Sequence, residues 1–416
     1  MSDERKPLHL FEAFGVELEY MIVREKDLKV DPITDKVIFE EVGQYVSDVE
    51  LENIAWSNEL VLHVIELKTN GPAKKLEGLP ATFQNHISKI NKILEKHNAK
   101  LLPTGAHPFM DPYTETCLWP HEHNAIYEAY DRIFSCKGHG WSNLQSTHLN
   151  LPFANDEEFG KLHAAIRLLL PIIPALSASS PVMDGKPTGF IDSRLEVYRK
   201  NQEKIPSIAG KVIPERVFTQ QEYQEQIFDK MYEDIGPYDP EQILQNEFLN
   251  SRGAIARFDR NTIEIRIIDI QECPLADIAI LHAVVQTLET IMAERWTQLK
   301  DQKQWHESDL AAIFLKVVEK GQSALIDNLD YLRCFGCEKT EPVTVKELWQ
   351  HILQEVFSRE DREEEFAYAL NVILTKGNLS ERILHALHDD FSEGRIKSVY
   401  HALAECLKNG TLFLAD

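Results

Sequence analysis

The stretch Thr262-Ile263-Glu264-Ile265-Arg266-Ile267-Ile268 decides how this chain is read. Side chains alternate faces along a strand. Ile263, Ile265 and Ile267 therefore form one apolar face, while Glu264 and Arg266 project from the other. Charge also surrounds the strand, with Arg257, Asp259 and Arg260 before it and Asp269 and Glu272 after it. A lone Glu-x-Arg fits a solvated face or a structural ion pair. It equally fits a site for metal and phosphate, because carboxylates coordinate hard cations and guanidinium groups fork onto phosphate oxygens.

A second strand with the same pattern favours the site. In Phe14-Gly15-Val16-Glu17-Leu18-Glu19-Tyr20, Glu17 and Glu19 share one face and Val16, Leu18 and Tyr20 the other. Two carboxylates about 7 Å apart on one strand face repel each other unless water or a divalent cation compensates.

Composition bounds the function. The 416 residues suffice for one large domain or two ordinary ones, and 43% hydrophobic content supports a substantial core. A net charge of −23 argues against non-specific nucleic-acid binding and against anionic membrane surfaces. A phosphate ligand stays compatible, since metal ions bridge anions. Six scattered cysteines fit a reducing compartment. Cys334-x-x-Cys337 lacks the second pair of a structural zinc site, so reduced thiols at chance spacing are expected. Met1 to Lys6 is polar and no apolar run approaches a membrane span, which predicts a cytoplasmic protein.

Along the chain, strands are expected at 14–24, 60–68, 100–104, 145–151 and 262–270. In the 145–151 strand His148 and Asn150 face one way, and Thr147, Leu149 and Leu151 the other. Helices are expected at 80–97, after the Asn155/Glu158 capping pair, and at 275–299. Residues 178–215 read as loop-rich, residues beyond 300 as helical, and the charged run from Ser358 to Glu365 as a solvated helix start or loop. No P-loop, dinucleotide-binding glycine fingerprint or nucleophile elbow occurs. His121-Glu-His123 reads as a polar loop.

The polar side chains opposite apolar strand faces are Glu17, Glu19, Glu66, His148, Asn150, Glu264 and Arg266, with Glu59 just before its strand. Five carboxylates and one imidazole suit Mg²⁺ or Mn²⁺ better than zinc or copper, and they exceed what one Mg²⁺ takes from protein. Two or more ions beside an arginine indicate phosphoryl transfer. Glu59 and Glu66 have opposite parity, so they converge only if a turn or bulge separates them.

Several motifs then form a pattern. They are Gly15-Val-Glu-Leu-Glu19, Asn58-Glu59-Leu60, Glu66-Leu-Lys-Thr69, Gly105-Ala-His-Pro108, Thr147-His-Leu-Asn150, and the run from Arg252 to Pro274. In this order, over roughly residues 12–300, the chain resembles the carboxylate–amine ligases of the second glutamate–cysteine ligase family. The resemblance implies an α+β, glutamine-synthetase-like fold: a curved antiparallel sheet with metals on its concave face and helices behind. Residues 1–300 would form the catalytic core, and 301–416 a helical region packed on it. The resemblance also implies metal ligation by Glu17, Glu19, Glu59, Glu66, His148 and Glu264. Arg266 would contact the transferred phosphate, with Glu264 beside it in catalysis. Arg257 and Asn150 would stand toward ATP, and Arg194, Tyr198 and His107 toward substrate. The implied reaction is ATP-dependent: a carboxylate, of glutamate or a similar acid, is phosphorylated and an amine such as cysteine attacks it.

Two other classes fit the strands alone. One is a phosphotransferase on the same scaffold; the other is a non-catalytic Mg-nucleotide-binding protein. Partners are then ATP and small acids and amines, not nucleic acid or membrane, and monomer or homodimer are both compatible.

Overall fold

The computed structural model describes residues 6–357 and 364–414, so the expectations for the extreme N-terminus and for 358–363 lie outside the described residues. Its centre is an antiparallel sheet of eight strands. These are β1 (Gly15–Arg24), β2 (Asp48–Leu51), β3 (Ile54–Asn58), β4 (Val64–Thr69), β5 (Ala99–Leu102) and β6 (Ser146–Pro152). A hairpin of two two-residue strands, β7 (Val182–Met183) and β8 (Lys186–Pro187), stands apart, and β9 (Ala254–Arg257) and β10 (Thr262–Asp269) complete the sheet. The strand order is β2-β3-β4-β1-β6-β10-β9, with β5 paired to the second half of β1.

The expected strand at 60–68 starts later, at Val64, and runs to Thr69. β3 and β4 form a hairpin whose connection, residues 59–63, contains Glu59. Outside the ladder, strand parity no longer governs Glu59, which removes the conflict with Glu66. β2 and β3 went unread because they are only four and five residues long, too short for alternation to stand out, and β3 is buried throughout.

The apolar face of the sheet is the floor of the main core. Val16, Leu18, Tyr20, Ile65, Leu67, Leu149, Leu151, Ile263 and Ile265 are at most 0% exposed and cluster with the helices Leu79–Glu95, Asp156–Leu169 and Pro274–Met292. Asn155 caps the second of these by accepting the Glu158 N–H at 3.0 Å. The Glu158 carboxylate takes the Ala154 N–H rather than that of Asn155, so the capping box is half formed. Pro274–Met292 corrects one expectation: at 19 residues it is long and apolar enough to cross a membrane. Here it is a central core helix, apolar all round because most of its circumference is buried.

Among the described residues beyond 300, the regular structure is helical apart from a short pairing of β11 (Leu325–Ile326) with β12 (Val343–Thr344). The main core cluster reaches from Phe14 to Leu407, so apolar side chains from both sides of residue 300 share it. A buried Arg382–Glu272 ion pair at 2.5 Å joins the helix Leu379–Leu387 to the segment after β10. Cys334 and Cys337 are buried in the same core.

Candidate active site

Register alone gathers the polar residues. Across β1, Glu17 faces His148 of β6 and Lys68 of β4, and Glu19 faces Glu66. Glu264 of β10 faces Asn150, which faces Gly15. Directly opposed residues in an antiparallel ladder project to the same side. Gly15 has a steric role here: a Cβ there would lie 2.9 Å from the Cβ of Asn150. Its absence lets Asn150 donate to Glu17 at 3.1 Å.

These side chains line a cleft of about 1100 Å³ on the sheet face opposite the core. Glu17, Glu66 and His148 form one triad of ligand atoms within 4.8 Å of one another, and Glu19, Glu59 and Glu66 form a second. Glu66 belongs to both. Glu264 stands beside them, 3.8 Å from His148 and 3.0 Å from the guanidinium of Arg266. Arg257 also lines the cleft, 3.9 Å from Glu264 and within ion-pair range of Glu247 and Asp259.

The electrostatics are those of a carboxylate cluster short of positive charge. Burial, then the charges of Glu19 and Glu66, push Glu59 well above the usual carboxylate range. Burial and the charge of Glu17 raise Glu66 to about 7, against the pull of Lys68 and a hydrogen bond from Ser57. Burial alone would raise Glu17, but the hydrogen bond and charge of His148 outweigh it and hold Glu17 at about 2. His148 is correspondingly raised to about 9: burial opposes its charge, while Glu17, Glu19 and Glu264 favour it. Burial disfavours the Arg266 charge, yet Glu264 and neighbouring acids hold that guanidinium firmly protonated. A divalent cation is the natural compensation for such a cluster, and its donors, oxygens with one imidazole, fit Mg²⁺ or Mn²⁺.

Sequence reasoning missed Lys68, Ser57, Asp48 and Glu50. Lys68 pairs with Asp48 at 2.5 Å and with Glu66 at 3.4 Å. It lies two residues from Glu66 on β4, so the same alternation could have found it. Asp48 and Glu50 reach the cleft through the unread β2–β3 hairpin.

None of the three expected substrate contacts lines the cleft. His107 is 2% exposed, and both ring nitrogens are engaged: Nε2 with the Leu28 carbonyl at 2.7 Å, Nδ1 with the Phe109 N–H at 3.0 Å. It holds the 104–109 turn together, and burial lowers it to about 4. Arg194 is likewise 2% exposed and pairs with Asp269 at 2.5 Å instead of lining the cleft. Tyr198 donates to the Ser251 carbonyl at 2.9 Å and is also not among the residues that line the cleft. The polar-loop reading of 121–123 agrees with the structure: His121 pairs with Asp35 at 3.1 Å and stacks on Tyr45.

Fold and cleft define the class: a mixed α/β protein whose large antiparallel sheet is packed by helices on one face and opens the other onto an acidic, arginine-flanked cleft. The chain matches the model of glutamate-cysteine ligase family 2 (GCS2) over residues 13–402, and it belongs to that family of ligases. A protein of Archaeoglobus fulgidus is 33% identical over 96% of this chain and 100% of its own length. A Corynebacterium glutamicum protein named "Putative glutamate--cysteine ligase 2" is 24% identical over 71% of this chain and 72% of its own. Among solved structures, the glutamate–cysteine ligase of Francisella tularensis in complex with AMP superposes with a TM-score of 0.59, covering 97% of this chain and 90% of that one. At 11% identity that likeness speaks for the fold.

Proposed function

We propose that the protein is an ATP-dependent carboxylate–amine ligase that forms an amide from glutamate or a similar acid and an amine such as cysteine. The observation that carries this reading is the pair of ligand triads sharing Glu66, with Glu264 and Arg266 beside them, in a chain of this ligase family. Glu17, Glu66 and His148 would hold one Mg²⁺, and Glu19, Glu59 and Glu66 a second, with Glu264 adjacent to His148 of the first set. The ions supply positive charge that offsets the phosphate oxygens and lets a polyanion enter an acidic cleft.

The residues of the chain would then divide the work. Arg266 meets the phosphate that moves from ATP to the acid, and Glu264 holds its guanidinium in place. Asn150 and Arg257 border the nucleotide side of the cleft. The carboxylate oxygen of the acid bonds to the γ-phosphorus and ADP leaves. The amine next attacks the acyl carbon, phosphate leaves, and the amine gives up a proton. The protein contributes mainly orientation and fixed charge. Residues 1–300 would supply this site and 301–416 brace it.

The test is ADP release from purified protein with Mg²⁺ and ATP, crossing a panel of acids with a panel of amines. ADP release that needs both partners supports the reading. ADP release with acid alone and a stable phosphorylated product would mark a phosphotransferase instead. Mg-ATP binding with no turnover for any pair would mark a non-catalytic member.

A further inference from the structure

The β10–β6 pairing runs from Thr262 to Ile265, then breaks and resumes at Ile268 opposite Thr147. Arg266 and Ile267 occupy the bulge, which re-aims side chains and leaves backbone groups off the ladder. The Arg266 N–H still reaches the Gly253 carbonyl at 3.0 Å. The Arg266 carbonyl accepts from Nη2 of Arg194 at 3.1 Å. Nε of the same guanidinium donates to Oδ1 of Asp269 at 2.5 Å.

Asp269 is itself held on every side. Its Oδ2 accepts from the Ser179 N–H at 2.9 Å and from the Ser180 hydroxyl at 2.8 Å. That hydroxyl oxygen also accepts the Arg194 N–H at 3.0 Å, closing the ring. Gly105 packs so closely on the Asp269 carboxylate that a Cβ would collide with it. Asp269 is 0% and Arg194 2% exposed. A buried ion pair with all these donors satisfied is a rigid element, and a fork-shaped cation is what lets it hold two acceptors at once.

We propose that Arg194 and Asp269 are positioning residues: their buried pair pins the bulged backbone at Arg266 and so aims that guanidinium into the cleft. The proposal rests on the reading of Arg266 as the phosphate contact. It differs from a role for Arg194 in binding the acid, in which its remaining nitrogen would touch substrate.

A double-mutant cycle of Arg194→Lys and Arg266→Lys tests it. Arg194→Lys keeps the charge but loses the fork, so kcat is expected to fall about 10–100-fold with KM for the acid within about threefold. If Arg194 acts through Arg266, the double variant is as slow as Arg266→Lys alone, within about threefold. Multiplying losses, or a KM for the acid raised about tenfold at unchanged kcat, would overturn the proposal. Ser180→Ala removes a donor to Asp269 and the acceptor of the Arg194 N–H, loosening the pair while keeping both its charges, so it replaces Arg194→Lys in the cycle, with the same non-additivity expected, should that variant not fold. If the wild type turns over no acid–amine pair, the proposed activity fails by itself. The cycle is then read on Mg-ADP affinity by calorimetry, where non-additive losses support the pinning and additive ones overturn it.

Discussion

Glu66 sits directly across the β1–β4 ladder from Glu19, and its carboxyl belongs to both ligand triads. One side chain thus links two cation positions, and its protonation reports how much negative charge the cleft carries. Without a cation, burial and Glu17 keep it protonated up to about 7.

Glu66→Gln is therefore predicted to separate stability from function. A carboxyl whose folded pKa is raised supports stability that is complete below its unfolded value and is lost as pH rises through about 7. In the absence of metal, the variant should match wild type near pH 4 and exceed it by roughly 1–3 kcal/mol at pH 8.5. With Mg²⁺ present the order should reverse, and ADP release should fall at least about 100-fold. Denaturant melts at both pH values, with and without Mg²⁺, check this.

Cation binding should expel protons. Glu59 and Glu66 are raised by burial and like charge, and His148 to about 9 by its carboxylate neighbours, so all three carry protons near neutrality that a ligand must lose. Mg²⁺ affinity should rise with pH between about 6 and 9. Calorimetric titrations in buffers of different ionisation enthalpy should register net proton release; equal heats in all buffers would contradict the triads as ligands.

Arg266→Lys should slow turnover about 100-fold or more while Mg-ADP affinity changes less than about tenfold. The charge survives, but the fork that meets Glu264 at 3.0 Å and faces the cleft does not. Steady-state kinetics beside calorimetry distinguish this from a loss of binding alone.

Acid should unfold the protein through buried histidines. Burial lowers His63 and His107 to about 4, and burial with Arg167 lowers His163 to about 3. Such groups contribute stability that is present above about 6.5 and lost as pH falls through the folded values. Stability should drop by several kcal/mol, roughly 2–3 per histidine, between pH 7 and pH 3.5. His163→Gln should flatten that profile by about one histidine's share, as read from urea midpoints.

The sheet face was legible where alternation was clean. In β1, β6 and the first half of β10, side chains of one polarity share a face, and the register brings Glu17, Glu19, His148, Asn150 and Glu264 together. Alternation misleads once a bulge intervenes. Counting by twos from Ile263 puts Asp269 on the apolar face, whereas the slip at Ile265/Ile268 turns it toward Ser146 on the other. Its partner Arg194 lies on the six-residue helix Ser193–Tyr198 in a segment with little periodicity, so the pairing was invisible. Glu59 needed the β3–β4 turn, and Asp48 and Glu50 needed a hairpin too short to announce itself.

The central claim is that this cleft joins acid to amine by moving phosphate onto the acid. Its most direct test uses an acid labelled with heavy oxygen in the reacting carboxylate, in the acid–amine pair that gives fastest ADP release. The account predicts one labelled oxygen in the released phosphate for each amide formed, with both products lost in Glu264→Gln. Unlabelled phosphate, or undiminished turnover in Glu264→Gln, would contradict it.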